Sequence, residues 1–297
     1  MKRFVSILLL ATLTAVATGG CAPVLPPRPT PTTPAATATL PATVSPSPAT
    51  STPLPSPANG VALKAYFLYH EKVQPAARVA PAGTTAVLKA ALEALVAGPT
   101  ADEKAAGLVT MIPTGTKLRG VRISGTVATV DLSAAFASGG GSLSMTDRLA
   151  QVVYTATQFS GVHAVSLQLD GKPIKVLGGE GIIVDHPRTR KSCEGETPAI
   201  LIDEPPWRGT LRAGHAVSGT ADVFEAMFRI EIRDSSGALV FSKSVKATSG
   251  TGTRGTWSIT PTLTGAVGGV GSIRVYEPSA KDGSPVHVVK VPVTIEL

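Results

Sequence analysis

The residues of this 297-residue chain that could do chemistry are five histidines, two cysteines, a glycine run, a few acidic turns and a small set of aromatic and basic side chains. His70, His163, His186, His215 and His287 are scattered, without the His-Glu-x-x-His spacing that sets two ligands on one helix face, and read as surface or strand-edge residues. A serine nucleophile is usually announced by Gly-x-Ser-x-Gly, which is absent. Gly139-Gly140-Gly141-Ser142 could offer backbone amides to a phosphate, but no Gly-Lys-Ser/Thr follows, which favours a loop leading into a helix. Asp131, after a strand, fits either one half of a carboxylate pair or the cap of the next turn, and Asp282-Gly283 is a hairpin turn before it is a calcium site. No metal or cofactor is expected. Trp207, Trp257 and Tyr276 are the side chains suited to stacking on sugar rings; the competing reading puts Trp257 in a core and Trp207 under a loop. Lys117, Arg119 and Arg122 form a basic cluster on or beside one strand, either a binding surface or solvated charge. Together these six residues are the candidate binding surface.

The cysteines carry a different chemistry. Lys2 and Arg3 precede an apolar run from Phe4 to Ala17, too short for a full membrane span and shaped like a secretory signal. The run ends in Thr18-Gly19-Gly20-Cys21, small residues before a cysteine, which resembles the bacterial lipobox. Residues 1–20 are therefore expected to be a lipoprotein signal peptide and Cys21 the acylated mature N-terminus. An uncleaved anchor, or ordinary secretion with a free Cys21 thiol, are the alternatives. Acyl chains contribute about 0.8 kcal/mol per buried methylene, enough for several to hold a protein at a bilayer. With Cys21 acylated, Cys193 has no intramolecular partner, so neither domain can depend on a disulfide.

Composition (43% hydrophobic, 16% charged) is that of a globular protein with unstructured additions, and 4% aromatics with abundant Gly, Pro, Thr and Val favour strands over helical bundles. Residues 21–59 are Pro, Thr, Ala and Ser and hold twelve of the 25 prolines, so they cannot bury a core and are expected to form a disordered tether of roughly 3 Å per residue. The formal charge of +7 is spread out: residues 61–191 carry 14 basic and 9 acidic side chains, residues 192–297 carry 10 and 11. Nucleic acid is not indicated by so diffuse an excess; an anionic wall polymer or lipid surface stays open.

The elements that must position these residues begin with a strand at 61–69. A helix follows, with Val87, Leu88, Ala91, Leu92, Leu95 and Val96 on one face, Thr84 or Thr85 as its cap and Gly98-Pro99 as its stop. Thr100 and Glu103 have capping-box spacing for a short second turn. Strands at 117–123 and 126–132 precede a second helix from Ser144, whose buried face is Leu149, Val152, Val153, Ala156 and Phe159. Strands at 163–169 and 172–177 then flank Asp170-Gly171, a hairpin signal. The order predicts an α+β domain over 60–191 with helices on one face of a sheet. Beyond residue 197 only strands are expected, at 200–203, 215–220, 223–233, 239–245, 255–260, 271–277 and 286–295, giving an immunoglobulin-like all-β sandwich over 197–297. The change of pattern near Cys193 predicts two separately stable units.

Residues 61 to about 190 resemble the GerMN domain of sporulation and spore germination proteins, through Tyr66-Phe67, Arg78, Leu95-Val96-Ala97-Gly98-Pro99-Thr100, Ile112-Pro113-Thr114-Gly115-Thr116, the segment from Val127 to Ser133, Gln151-Val152-Val153-Tyr154-Thr155 and Asp170-Gly171-Lys172. Residues 199–297 are similar to the immunoglobulin-like domain that often follows it, through Pro205, Val217 to Ala221, Val223-Phe224-Glu225-Ala226, Gly255-Thr256-Trp257 and Val275 to Ser284. The resemblance brings no catalytic residue and implies assembly or binding at the cell surface. The expectation is a non-enzymatic cell-envelope lipoprotein, extracytoplasmic and held to the outer face of the membrane by Cys21, whose partner is an envelope protein; recognition of wall glycan or another anionic cell-wall polymer is the alternative. Cys21→Ala should leave the precursor unprocessed and abolish incorporation of labelled acyl chains, whereas Cys193→Ser should change neither; label persisting on the Cys21 variant would refute the anchor.

Overall fold

The computed structural model describes residues 60–179 and 181–297. Residues 1–59, where a signal peptide, the acylated Cys21 and a tether are expected, lie outside the described residues. The described residues belong to one compact unit, which holds the core and its hydrogen bonds.

Its first part opens with β1 (Gly60–Tyr69) and β2 (Lys72–Pro81), paired antiparallel over their full length. Sequence reading passes over β2, which carries Pro75, Pro81 and six alanine or polar positions, with only Val73 and Val79 branched. The turn hides too: His70 and Glu71 take φ of 50° and 61°, the two-residue geometry that Asn-Gly normally announces. Then come α1 (Val87–Ala97), α2 (Ala101–Ala105), β3 (Leu118–Ser124), β4 (Val127–Leu132), α3 (Ser142–Ala156), β5 (Ala164–Leu169), β6 (Lys172–Pro173), β7 (Val176–Leu177) and β8 (Ile182–Ile183). Strands β3, β4, β5 and β6 form a sheet in that order, with β4 and β5 parallel and α3 as their crossover. Ala128, Val130, Leu132, Val165 and Leu167 are buried on one face beneath the helices, and Thr129, Asp131, Ser166 and Gln168 alternate onto the open face. This is the α+β arrangement expected. α1 starts at Val87 after Ala86 with no side-chain cap; Thr84 turns back to the Pro81 carbonyl instead. The Thr100/Glu103 capping box forms.

The second part is an eight-stranded immunoglobulin-like sandwich. It comprises β9 (Ile200–Glu204), β10 (Thr210–Arg212), β11 (Val217–Ala221), β12 (Met227–Arg233), β13 (Leu239–Lys246), β14 (Gly255–Ile259), β15 (Gly269–Pro278) and β16 (Pro285–Glu296). One sheet runs β10-β16-β15-β12-β13 and the other β14-β11-β9. At the β9–β11 register shift Gly219 is obligatory, since a Cβ there would lie 1.9 Å from the Leu201 carbonyl oxygen. The strand expected from Val223 starts only at Met227: Phe224–Ala226 is a 3-10 turn, with Glu225 and Ala226 at φ of 53° and 60°.

One continuous cluster of buried apolar side chains runs from Ala65 in β1 to Ile295 in β16. Trp207 sits at its seam. Its N–H donates to the Pro75 carbonyl at 2.8 Å and its carbonyl accepts from Ala77 N–H at 3.1 Å, so a residue of the second part extends β2. N–H and C=O of one strand residue point the same way, so Pro75 faces this seam and costs the β1–β2 ladder no donor. The indole packs 5.1 Å from the Tyr69 ring. Separate stability is therefore not what the packing favours: each half completes the other's core. Trp207→Ala should lower the stability of the 51–297 unit by about 3–5 kcal/mol in urea unfolding, with one transition retained. A loss under about 1 kcal/mol would show that the seam is incidental.

Candidate functional site

The densest polar constellation lies at this seam. Asp203 on β9 accepts from the Tyr66 hydroxyl at 2.5 Å and from Arg190 Nη1 at 3.0 Å. Arg190 also donates to Thr157 Oγ1 at 2.9 Å and lies over the rings of Tyr154 and Tyr66, at 4.6 and 5.4 Å. Lys64 reaches the Asp203 carbonyl and pairs with Glu204 at 2.6 Å. Burial pushes the Asp203 carboxyl up, but the charges of Arg190 and Lys64, with the hydrogen bonds from Tyr66 and Arg190, hold it below its ordinary value. Burial, then the Asp203 charge, drives the Tyr66 hydroxyl well above the ordinary tyrosine value. Tyr66 is fully buried, so this group holds the halves together and does not serve as an acid or base toward a substrate. Arg254 and Glu194 form another ion pair across the seam, and Arg208 on the second part pairs with Asp102 at 3.0 Å.

Beside this constellation is a cleft of about 460 Å³ between β1–β2 and the β9–β10 segment, whose polar lining is Lys64, Arg78, Gln158, Glu204, Arg208, Thr210 and Arg212. Its cations are already engaged: Arg78 holds Glu103 through two bonds of 2.7 Å, and Arg212 pairs with Glu296 at 2.8 Å. No serine or cysteine lines it, and among the described residues no group of three or more His, Cys, Asp or Glu side chains is placed to hold a metal ion. The cleft can receive a side chain or a short segment; Thr210 is the one hydroxyl in its lining, with no histidine beside it.

Helix α3 supplies the local order of the first part. Its apolar face is as expected, but it also buries a polar row: Gln151, Thr155 and, just past its end, Gln158 reach the free edge of β1. Thr155 Oγ1 accepts from Tyr66 N–H at 3.0 Å, and Gln158 both accepts from Lys64 N–H at 2.8 Å and donates to the Lys64 carbonyl at 2.7 Å. Gln151 donates to the Tyr66 carbonyl at 3.2 Å. The helix thus stands in for a missing strand. Arg148, 4% exposed, donates to the carbonyls of Met111, Phe136, Ser138 and Gly139 at 2.7–2.8 Å. That accounts for the start of the glycine run: the Gly139 carbonyl helps clamp a guanidinium, and a Cβ at Gly140 would come within 2.6 Å of Ser144 Oγ.

Asp147 heads the polar row at 0% exposure, with both carboxylate oxygens lacking a hydrogen-bond partner. Burial, followed by the charges of Glu196 and Glu71, raises its pKa to about 6, with Lys72 acting in the opposite sense. It has neither solvent access nor a nucleophile to serve.

The six residues of the predicted binding surface are not brought together. Trp207 and Trp257 are each 4% exposed, the first in the seam and the second edge-on to Phe228 at 5.1 Å, so neither indole is available for stacking on a sugar. This corrects their assignment to a surface, because both rings are needed to fill the core. Tyr276 is half-buried, bonded to Glu231 at 3.0 Å, and Arg274 covers one ring face at 4.5 Å. Lys117, Arg119 and Arg122 are exposed, in the first part; Arg119 is bound to Asp170 at 2.5 Å. Asp131 accepts from Gly171 N–H at 2.9 Å, closing the β5–β6 turn in place of either role foreseen for it.

Residues 64–175 match the family model for sporulation and spore germination, and residues 199–284 match that for the immunoglobulin-like domain of bacterial spore germination. The chain carries a GerMN domain followed by a germination-type immunoglobulin-like domain. Among solved structures it is similar to the tandem GerMN domains of the sporulation protein GerM from Bacillus subtilis, at 22% identity and TM-score 0.39, over 47% of this chain and 49% of that one. The first GerMN domain of the same protein matches at 24% identity and TM-score 0.37, over 44% of this chain and 98% of that one. The chain thus spans about half the length of the tandem protein. Comparison with curated proteins gives no match.

Within the GerMN domain, Asp147 predicts a pH dependence. Its folded pKa lies above the unfolded value, so its contribution is intact below about pH 4 and is lost as pH rises through about 6. Asp147→Asn should equal the parent in stability near pH 4 and exceed it by on the order of 2–3 kcal/mol at pH 8 in urea titrations. A gap independent of pH would refute the assignment.

Proposed function

We propose that this chain is a non-catalytic component of the cell envelope, of sporulation or germination type, that works by contact, tethered outside the membrane through a lipidated Cys21. The observation that carries this reading is the fate of the reactive groups. Tyr66, Arg190 and Asp203 are consumed in joining the two domains, Arg148 in clamping a loop, and Asp147 is sealed from solvent. A rigid pair of domains sharing one core is suited to presenting surfaces in fixed relation, which is what assembly requires.

Recognition of an anionic wall polymer is the second reading, supported by the exposure of Lys117, Arg119 and Arg122 on one edge of the GerMN sheet. Its glycan form is weakened by the burial of both tryptophans. The purified 51–297 unit should release no fragments from isolated cell wall, and cross-linking in intact envelopes should join it to protein. Reversing Lys117, Arg119 and Arg122 together should leave the protein cross-links intact; their loss with a parallel, salt-sensitive drop in wall retention would favour the polymer, and release of wall fragments would overturn the non-catalytic reading.

A further inference from the structure

The five-stranded sheet of the immunoglobulin-like domain turns its second face outward, and the register fixes what that face carries. Cross-strand partners point to the same side. Arg229 lies opposite Tyr276 and Ser244; Glu231 opposite Arg274 and Ser242; Arg274 opposite Lys290; Met227 opposite Lys246; Arg233 lies two further along β12. Arg229, Arg233, Lys246, Arg274 and Lys290 thus share a face with two carboxylates, Glu231 and, at the far end of β16, Glu296. Both are satisfied from within, Glu231 by Arg274 at 3.2 Å and the Tyr276 hydroxyl at 3.0 Å, Glu296 by Arg212 at 2.8 Å. Arg229 donates to the Ser242 hydroxyl and Arg233 to the Gly237 carbonyl, both neutral. Among the described residues, none of Arg229, Arg233, Lys246 and Lys290 forms a salt bridge, and all four are exposed. This contrasts with the cleft at the seam, where each cation has its acid.

One end of this face is apolar. Phe224, lifted off β12 by the 3-10 turn, is 56% exposed, and its N–H donates to Glu277 Oε1 at 3.0 Å. Val286 pairs in register with that same Glu277, and Met227 and Val288 are exposed alongside. Glu277 itself is covered, accepting also from His287 Nδ1 at 2.9 Å; Glu225 and, in the β15–β16 turn, Asp282 beside Lys281 are the exposed acids at this end. Strands about 4.8 Å apart and alternate residues about 6.8 Å apart make the cationic field broad and flat, about 13 Å from Arg229 to Arg233.

We infer that this face docks on an anionic phospholipid bilayer, with Arg229, Arg233, Lys246 and Lys290 against the headgroup phosphates and Phe224, Met227, Val286 and Val288 entering the interface. Charge complementarity alone would suit any polyanion. The apolar rim decides for the bilayer, because a hydrated polyanion offers nothing to the aliphatic side chains of Met227, Val286 and Val288 beside Phe224, whereas a lipid surface presents hydrocarbon directly beneath its phosphates. The inference goes beyond the assembly reading and is independent of the Cys21 anchor.

The test uses the unacylated 51–297 unit, so anchoring through Cys21 does not contribute. It should co-sediment with phosphatidylcholine vesicles containing about one-third phosphatidylglycerol, and bind pure phosphatidylcholine at least about tenfold more weakly. Replacing Arg229, Arg233, Lys246 and Lys290 together by Gln, all exposed and therefore compatible with the fold as checked by circular dichroism, should remove that preference. Phe224→Ser should abolish the residual binding that survives about 1 M salt, where charge attraction is screened. Equal binding to both vesicle types would overturn the proposal. So would retention on immobilised polyphosphate without vesicle binding, or an unchanged Phe224→Ser variant.

Discussion

The structure depends on a carboxylate that cannot be left alone. Asp203 stands at the end of β9, where the immunoglobulin-like sheet meets the GerMN hairpin, and its charge is held by one hydroxyl from β1 and one guanidinium from the segment joining the domains. Removing either partner would leave a largely buried charge uncompensated, which costs far more than the pair itself contributes. The three groups therefore specify one relative placement of the two domains more than they add to total stability. Apolar closure around Trp207 provides the driving force that this ionic geometry directs.

Helix α3 extends the same constraint inward. A hairpin whose β1 edge faces a helix would leave a row of backbone groups unpaired, and Gln151, Thr155 and Gln158 answer them at a spacing only a helix can provide. The polar row and the apolar face are thus two faces of one requirement: α3 must bury against both a sheet and a strand edge. Asp147 extends that row by one turn, beyond the last backbone group available to it.

Most of the architecture was legible because it is written in local periodicity. The helix at Val87–Ala97, the Thr100/Glu103 box, the Asp170-Gly171 turn and the alternation of Phe228, Ile230 and Ile232 each carry their own signal. β2 was not legible, because its pairing is dictated by β1 and Trp207, with alanine and proline where branched residues usually stand, and by a turn whose residues give no glycine cue. Phe224 was misplaced for the converse reason: its alternation with Ala226 and Phe228 imitates a strand, and only the backbone turn at Glu225 and Ala226 breaks it. For the candidate site, residue type was a poor guide. Trp207 and Trp257 have the chemistry of a stacking platform and the burial of core residues, a choice made by tertiary packing. Asp203, Arg190 and Tyr66 meet across separations of 13 to 137 residues, which no local pattern announces.

Burying so much polar chemistry at the seam has a consequence for what the surface can do. Ion pairs between the domains, at Lys64–Glu204, Arg208–Asp102 and Arg254–Glu194, draw cations and acids into matched contacts there. The outward sheet of the second domain has no such obligation, and its unmatched arginines and lysines are compatible with a stable fold because exposed charges cost little in water. The second domain carries almost no net charge, yet its charges are segregated by face, and it is this segregation that gives a nearly neutral sandwich a strongly basic side. Partner choice in such a protein follows from where charge is left unpaired, and the fixed seam determines how that face is presented.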